Sequence, residues 1–290
     1  MVDYVPVEKA HPIREPSTAN LVIDSLDAVG GNASTFVINK NASIMNGYFT
    51  RIAVSEVVLN WAVPNIAAAL GNNVLRITSP ANITVTIPDG MWTVAAALDY
   101  IVASLNSQYN TVGSVWTVDQ VGGGVFIVLR VGGVITNTTW AFTIGLQQFG
   151  WAAAPGAVAS LLISPTSNLQ TTRYLDFVSY ELTYCQSLKD NSTATATPAR
   201  DALCRWYFAW DNPAPNDKYG FPILMGYQQF AARRLFNPPK QIRWEPNLPI
   251  GNLTFQVYNS LGQLQYAGNY GNIPGSAGYS WEMTLQISEV

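Results

Sequence analysis

Residues 279–287 read Tyr279-Ser280-Trp281-Glu282-Met283-Thr284-Leu285-Gln286-Ile287. Trp281, Met283, Leu285 and Ile287 share one side of a two-residue repeat. Ser280, Glu282, Thr284 and Gln286 share the other. Successive side chains of a strand point to opposite faces, so this pattern describes a half-buried strand with one face in a core and one in water. Working outward, Tyr48–Leu59, Tyr174–Tyr184, Leu203–Trp210 and Leu253–Tyr258 are rich in β-branched and aromatic residues, the side chains that suit a pleated surface. Leu21–Leu26, Thr35–Ile38, Val74–Thr78, Ile83–Ile87, Val115–Val118, Val125–Val131, Trp140–Ile144, Gln241–Trp244 and Leu264–Tyr266 add shorter strands. Asn259-Ser260-Leu261-Gly262 reads as a hairpin turn with its glycine at the left-handed position. Gly122-Gly123-Gly124 precedes a strand rather than a helix, so it is a tight turn and not a phosphate-binding loop.

Many short antiparallel strands joined by Gly/Pro turns predict a mostly β protein, an antiparallel jelly-roll sandwich. One segment departs from that pattern. Thr93 can cap a helix in which Val94, Ala97, Leu98, Ile101, Val102 and Leu105 repeat at helical period on one face. With its flanking hairpins it predicts a small α/β insert. The expected organisation is an extended, Pro-rich arm over 1–20, a jelly roll over 21–71 plus 153–290, and an inserted lobe over 72–152.

The 290 residues are 48% hydrophobic and only 11% charged, with 9 Trp and 14 Tyr. A soluble domain carries about 25% charge, so disordered and coiled-coil classes are excluded. The formal net charge is −3. A general nucleic-acid binder needs a basic face, and the densest cationic cluster is only Arg233-Arg234 with Lys240 and Arg243 near it. Those are read as solvated or interface arginines. Met1–Pro16 is mixed in charge and lacks an apolar run, so no secretory signal is expected. The sequons at Asn32, Asn41, Asn82, Asn137, Asn191 and Asn252 are then read as Asn/Thr-rich turns. No apolar stretch is long enough to span a membrane.

Catalytic equipment is sparse. His11 is the single histidine, and Cys185 and Cys204 are the two cysteines. These supply neither a triad nor a zinc set, and the cysteines are read as reduced thiols. No catalytic, cofactor-binding or metal site is assigned, and no cofactor is expected. Asp201, Asp211 and Asp217 are the nearest carboxylate cluster, and residues 211–217 lack the spacing of a calcium loop.

Residues 131–172 carry no charged side chain, and neither do residues 246–281. Both runs include predicted loops, 145–168 and 268–280, and loops lie on surfaces. Interface cores are depleted in charge and enriched in aromatics. Trp151, Leu161, Tyr270 and Tyr279 are therefore the candidate assembly residues.

The run Asn237-Pro238-Pro239-Lys240-Gln241-Ile242-Arg243-Trp244, then Pro249-Ile250-Gly251-Asn252-Leu253-Thr254-Phe255, then Gly262-Gln263-Leu264-Gln265-Tyr266, is similar to the C-terminal pattern of penton proteins. These are minor capsid, vertex-forming proteins of virophages, polinton-like viruses and related eukaryotic double-stranded DNA viruses. Ile87-Pro88-Asp89-Gly90-Met91-Trp92-Thr93 resembles the stretch that opens the helix of the insert in many such capsid proteins. Phe149-Gly150-Trp151 stands where that insert usually ends in Leu-Gly-Phe. The resemblance covers roughly residues 45–290. It implies a jelly roll, self-association into a homopentamer, contacts with the major capsid protein and other minor capsid or cement proteins, and a place in the virion. A cement role, or a single-jelly-roll major capsid protein, stays open beside the penton. A carbohydrate-binding or adhesin-like protein is the alternative from another class, since stacked Trp and Tyr would serve it. A carboxylate glycosidase is the third.

Overall fold

The computed structural model describes residues 18–27, 30–39, 51–79, 81–109, 111–136, 138–151, 160–165, 167–183, 202–209, 215–243, 252–265 and 278–288. The expected N-terminal arm lies outside them apart from 18–20, which belong to the first strand. The strands, in chain order, are β1 (Thr18–Asp24), β2 (Gly30–Asn32), β3 (Thr35–Asn39), β4 (Arg51–Trp61), β5 (Val74–Ser79), β6 (Ile83–Thr86), β7 (Ser114–Val121), β8 (Gly124–Val131) and β9 (Val134–Ile135). They continue as β10 (Ala141–Ile144), β11 (Leu161–Ile163), β12 (Tyr174–Val178), β13 (Ala202–Tyr207), β14 (Phe230–Leu235), β15 (Gln241–Arg243), β16 (Asn252–Asn259) and β17 (Tyr279–Ser288). Helix α1 spans Val94–Gln108 and the single-turn α2 spans Tyr180–Thr183.

Two antiparallel sheets form the larger body. One runs β1-β17-β4-β14, with β15 continuing the β14 side of β4, and the other runs β13-β12-β16-β3-β2. Setting aside the short edge strand β2, which is hairpinned to β3, and treating β14–β15 as one strand leaves eight strands. The first pairs the eighth, the eighth the third and the third the sixth, while the second, seventh, fourth and fifth make the facing sheet. That strand order is a jelly roll. β5 to β11 and α1 are all inserted between its third and fourth strands.

The alternation that opens the sequence analysis holds the two sheets together. Trp281, Met283, Leu285 and Ile287 are all buried, and the intervening residues face out. The Trp281 ring meets Phe36, Phe177 and Phe255 of the facing sheet at 5.4, 5.3 and 5.5 Å, edge-on. Its indole N–H donates to the Ala33 carbonyl at 2.8 Å, so a large apolar body is buried with its polar atom paired.

The inserted lobe has its own core. Sheets β10-β5-β6 and β11-β8-β7, with β9 on β8, form one core with the buried face of α1. Thr93 Oγ1 accepts the Ala96 N–H at 3.2 Å, and Val94, Ala97, Leu98, Ile101 and Leu105 are buried. Asn106 ties the helix to β7 by accepting the Trp116 N–H at 2.7 Å and donating to its carbonyl at 3.0 Å. This second core draws on Ile66, Leu169, Phe221 and Tyr227 as well, residues on either side of 72–152.

Several local expectations change. Strand β12 stops at Val178, because Ser179 starts a helical turn whose Thr183 N–H and hydroxyl both return to the Ser179 carbonyl, at 3.0 and 2.8 Å. Strict alternation along Trp140–Ile144 would place Ile144 on the buried face with Trp140 and Phe142, but it is exposed. A register shift between Phe142 and Ile144 turns it outward. The turn at Gly122-Gly123 is a two-residue hairpin with φ of 59° and 82°, and the Asn259–Gly262 hairpin turn is present. β11 and β14 are strands that the residue pattern does not announce.

Candidate assembly surfaces

Three of the four predicted interface residues, Trp151, Leu161 and Tyr279, are buried within the chain. Trp151 is 5% exposed in the lobe's core, and its indole N–H donates to the Leu162 carbonyl at 2.9 Å. Leu161, 2% exposed, belongs to β11 and sits opposite Ile127 of β8. Tyr279, 5% exposed, joins the jelly-roll core, and its hydroxyl donates to Ser34 Oγ at 3.0 Å. Side chains so enclosed have almost no surface left for a neighbour, and Trp151 and Leu161 are core positions rather than loop positions. Tyr270 lies outside the described residues. The uncharged 131–172 run does present apolar surface, but through Val131, Val134, Ile135, Ile144 and Leu162. Val131 and Val134 gather with Val112, which is 97% exposed, and Val115 near the Gly113 and Gly132-Gly133 turns of the lobe.

Charge in the jelly roll separates towards the two sides of the sandwich. On the first sheet one cross-strand row reads Asp24, Glu282, Val58, Arg233, from β1 across to β14. Asp24 and Glu282 stand directly opposite each other on the outer face. Like charges so placed destabilise a sheet unless something neutralises them. Asp27 follows in the next turn, and among the described residues none of the three carboxylates has an ion pair. Val22 and Leu26 are exposed beside them.

The other side is basic and aromatic. Arg205 on β13 binds Asp176 through two hydrogen bonds, 2.6 and 2.9 Å, and lies 3.9 Å above the Tyr174 ring. The Asp176 bonds push its guanidinium further up from its already high range. Tyr174 and Tyr207 rings are 6.0 Å apart, and Arg234 reaches across the open edge from β14 to 5.9 Å from Tyr207. Lys240 donates to the Ala202 carbonyl at 2.9 Å. Arg233 is held by Glu56 at 2.5 and 2.8 Å, whereas Arg234 has no carboxylate partner among the described residues. On β15, Arg243 stands opposite Arg51. Tyr207 and Leu235 are exposed along this edge. Sequence reading singled out Arg233, Arg234, Lys240 and Arg243 but could not assemble the acidic side, whose members come from opposite ends of the chain.

The remaining chemical candidates have structural roles. Cys204 is buried, and desolvation pushes its thiol far up from the ordinary range, so it is held as the inert neutral form. Asp217 caps α1. Its Oδ2 accepts the Ala95 N–H at 2.9 Å, and its Oδ1 accepts those of Tyr219 and Phe221 at 2.9 and 3.0 Å. Asp201, Asp211, His11 and Cys185 lie outside the described residues. Among the described residues no group of His, Cys, Asp and Glu could hold a metal. No described helix is long and apolar enough to cross a membrane.

Strand order and insert together define a jelly-roll protein with an α/β lobe between its third and fourth strands. No family model and no curated protein matches the chain. Among solved structures it is similar to the crystal structure of the SeMet-labelled mavirus penton protein, at 10% identity and a TM-score of 0.43, over 96% of this chain and 100% of that one. It is also similar to a chain of the Sputnik virophage structure determined by cryo-EM, at 13% identity and a TM-score of 0.44, over 94% of this chain and 97% of that one.

Proposed function

We propose that the chain is a structural subunit of a viral capsid, of the penton kind, self-associating into a homopentamer at the vertices of an icosahedral virion and contacting the major capsid protein. The observation that carries the reading is the coincidence of fold and motif. Within the insert of an eight-stranded jelly roll, one penton-like stretch leads from β6 into α1 and a second precedes β11, while the third takes in β15 and β16 of the sandwich itself. The 87–93 stretch bridges Gly90 to Ile66, pairs Trp92 with Asn65 through two 2.8 Å bonds and caps α1 with Thr93. Phe149 and Trp151 anchor the lobe's far end in its core. The described residues of the 237–266 stretch include β15, β16 and the Asn259–Gly262 turn.

The glycan alternative draws less support. Arg205 lies 3.9 Å over the Tyr174 ring and closes that face to a stacked sugar. The test is native mass spectrometry of the full chain at micromolar concentration. The expected mass is five times that of the 31.6 kDa subunit. A stable dimer or trimer rejects the penton, and a monomer that binds a glycan array favours the alternative.

A further inference from the structure

We propose that the two lateral edges of the jelly roll are the two halves of a single contact between copies of this chain. The acidic β1 edge of one copy (Asp24, Asp27, Glu282) docks on the basic β13–β14 edge of the next (Arg205, Arg234, Lys240, Tyr207). The inference rests on the capsid reading and names the faces that reading leaves open.

Three observations select a second copy as the occupant. First, among the described residues Asp24, Asp27 and Glu282 form no ion pair on one edge, and Arg234 forms none on the other. Asp24 and Glu282 stand directly opposite each other across β1 and β17. A sheet tolerates a like-charge pair when an opposite charge is brought to it. Second, each edge adds exposed apolar surface to its charge, Val22 and Leu26 on one side and Tyr207 and Leu235 on the other. Complementary charge around apolar contacts is what a specific interface uses to set its register. Third, the complementary edges are at opposite sides of one sheet, where β1 pairs only with β17 and β14 only with β4 among the described strands. A contact between two different patches is heterologous, and heterologous contacts close into rings when the rotation closes. The isolated acidic edge would be repelled by its own copy, so a face-to-face dimer is disfavoured by the same charges that favour the ring.

The experiment is light scattering on the full chain at low ionic strength, with thermal melts of every variant. Asp27→Lys with Glu282→Lys makes both edges basic. Arg234→Glu with Lys240→Glu makes both acidic. Each pair alone should raise the concentration for half-assembly by about tenfold or more, since like charges then face each other. All four together swap the edges and should restore assembly. A reversed pair that melts like wild type and assembles like wild type overturns the contact. So does a well-folded four-fold variant that stays dissociated, or a wild type that is monomeric at low salt. Should a variant not fold, salt decides on the wild type. Assembly must weaken as the screening length shrinks from about 10 Å at 0.1 M to about 3 Å at 1 M, and indifference to salt overturns the contact. The two readings fail separately. A ring that obeys the charge swap but holds a number of copies other than five keeps the edges and removes the penton. A five-membered ring blind to these charges does the reverse.

Discussion

Asp217 joins the loop between β13 and β14 to the start of α1, accepting three backbone N–H groups with one carboxylate. A hydrogen bond to a charged acceptor contributes about 1.5–3 kcal/mol, and the helix N-terminus adds to it. Asp217→Ala should cost about 2–3 kcal/mol, seen as a drop of roughly 4–10 °C in a thermal melt. Asp217→Asn keeps an acceptor and should lose less. Gly150 is held at φ of 84°, and a Cβ there would stand 2.9 Å from the Ser164 Cβ. Gly150→Ala combines a left-handed backbone with a clash and should destabilise by about 2 kcal/mol or more, measurable by urea midpoint. Cys204 gives a pH dependence of defined sign. Its folded thiol keeps its proton well above the ordinary value of 9.0. Below pH 9 both states are protonated and stability is unaffected. Above it the unfolded chain loses a proton that the fold retains, so stability falls as pH rises, by up to about 1.4 kcal/mol per unit. Cys204→Val should remove that portion of the slope when urea midpoints at pH 8 and pH 10 are compared.

Among the elements, α1 is the one whose period and burial agree most fully. Ile101 is fully enclosed in the lobe's core, whereas Ala96, in the first turn, faces solvent. Ile101→Asp buries an unpaired charge and should cost about 3–5 kcal/mol. Ala96→Asp places the same side chain in water near the helix N-terminus and should change stability by no more than about 0.5 kcal/mol. Equal melts for both variants would show the buried face to be elsewhere. β14 behaves differently. Phe230-Ala231-Ala232-Arg233-Arg234-Leu235 contains little that favours a strand by itself, and it is extended because β4 offers it a full ladder from Trp61 to Glu56.

On the scale of the molecule, two cores share one chain. The first lies between the jelly-roll sheets and the second inside the lobe, with 215–227 crossing to place Phe221 and Tyr227 in the second. The jelly-roll ladders from β4 to β17 and from β12 to β16 use no residue of the lobe. The lobe should therefore lose its structure without carrying the sandwich with it. Calorimetry of Ile101→Asp should show one transition lowered or absent and the other within about 2 °C of wild type; a single lowered transition would mean one cooperative unit.

What the residues determine alone is local and periodic. The two-residue repeat of Tyr279–Ile287, the helical face of Val94–Leu105 and the glycine turn at Gly122-Gly123 each carry their cause within a few positions, so they were legible in one dimension. So was the scarcity of charge between 131 and 172, but only as burial and not as burial against what. Trp151 and Leu161 are uncharged because they fill the lobe's own core, a fact that depends on β11 pairing with β8. β11 and β14 acquire their extended state from partners distant in sequence. The separation of charge has the same origin. Asp24 and Glu282 become neighbours only when the first strand pairs with the last, and Arg234 meets Tyr207 only when two sheets face each other. Periodicity reports which way a side chain points; strand pairing, which is non-local, decides what it meets there.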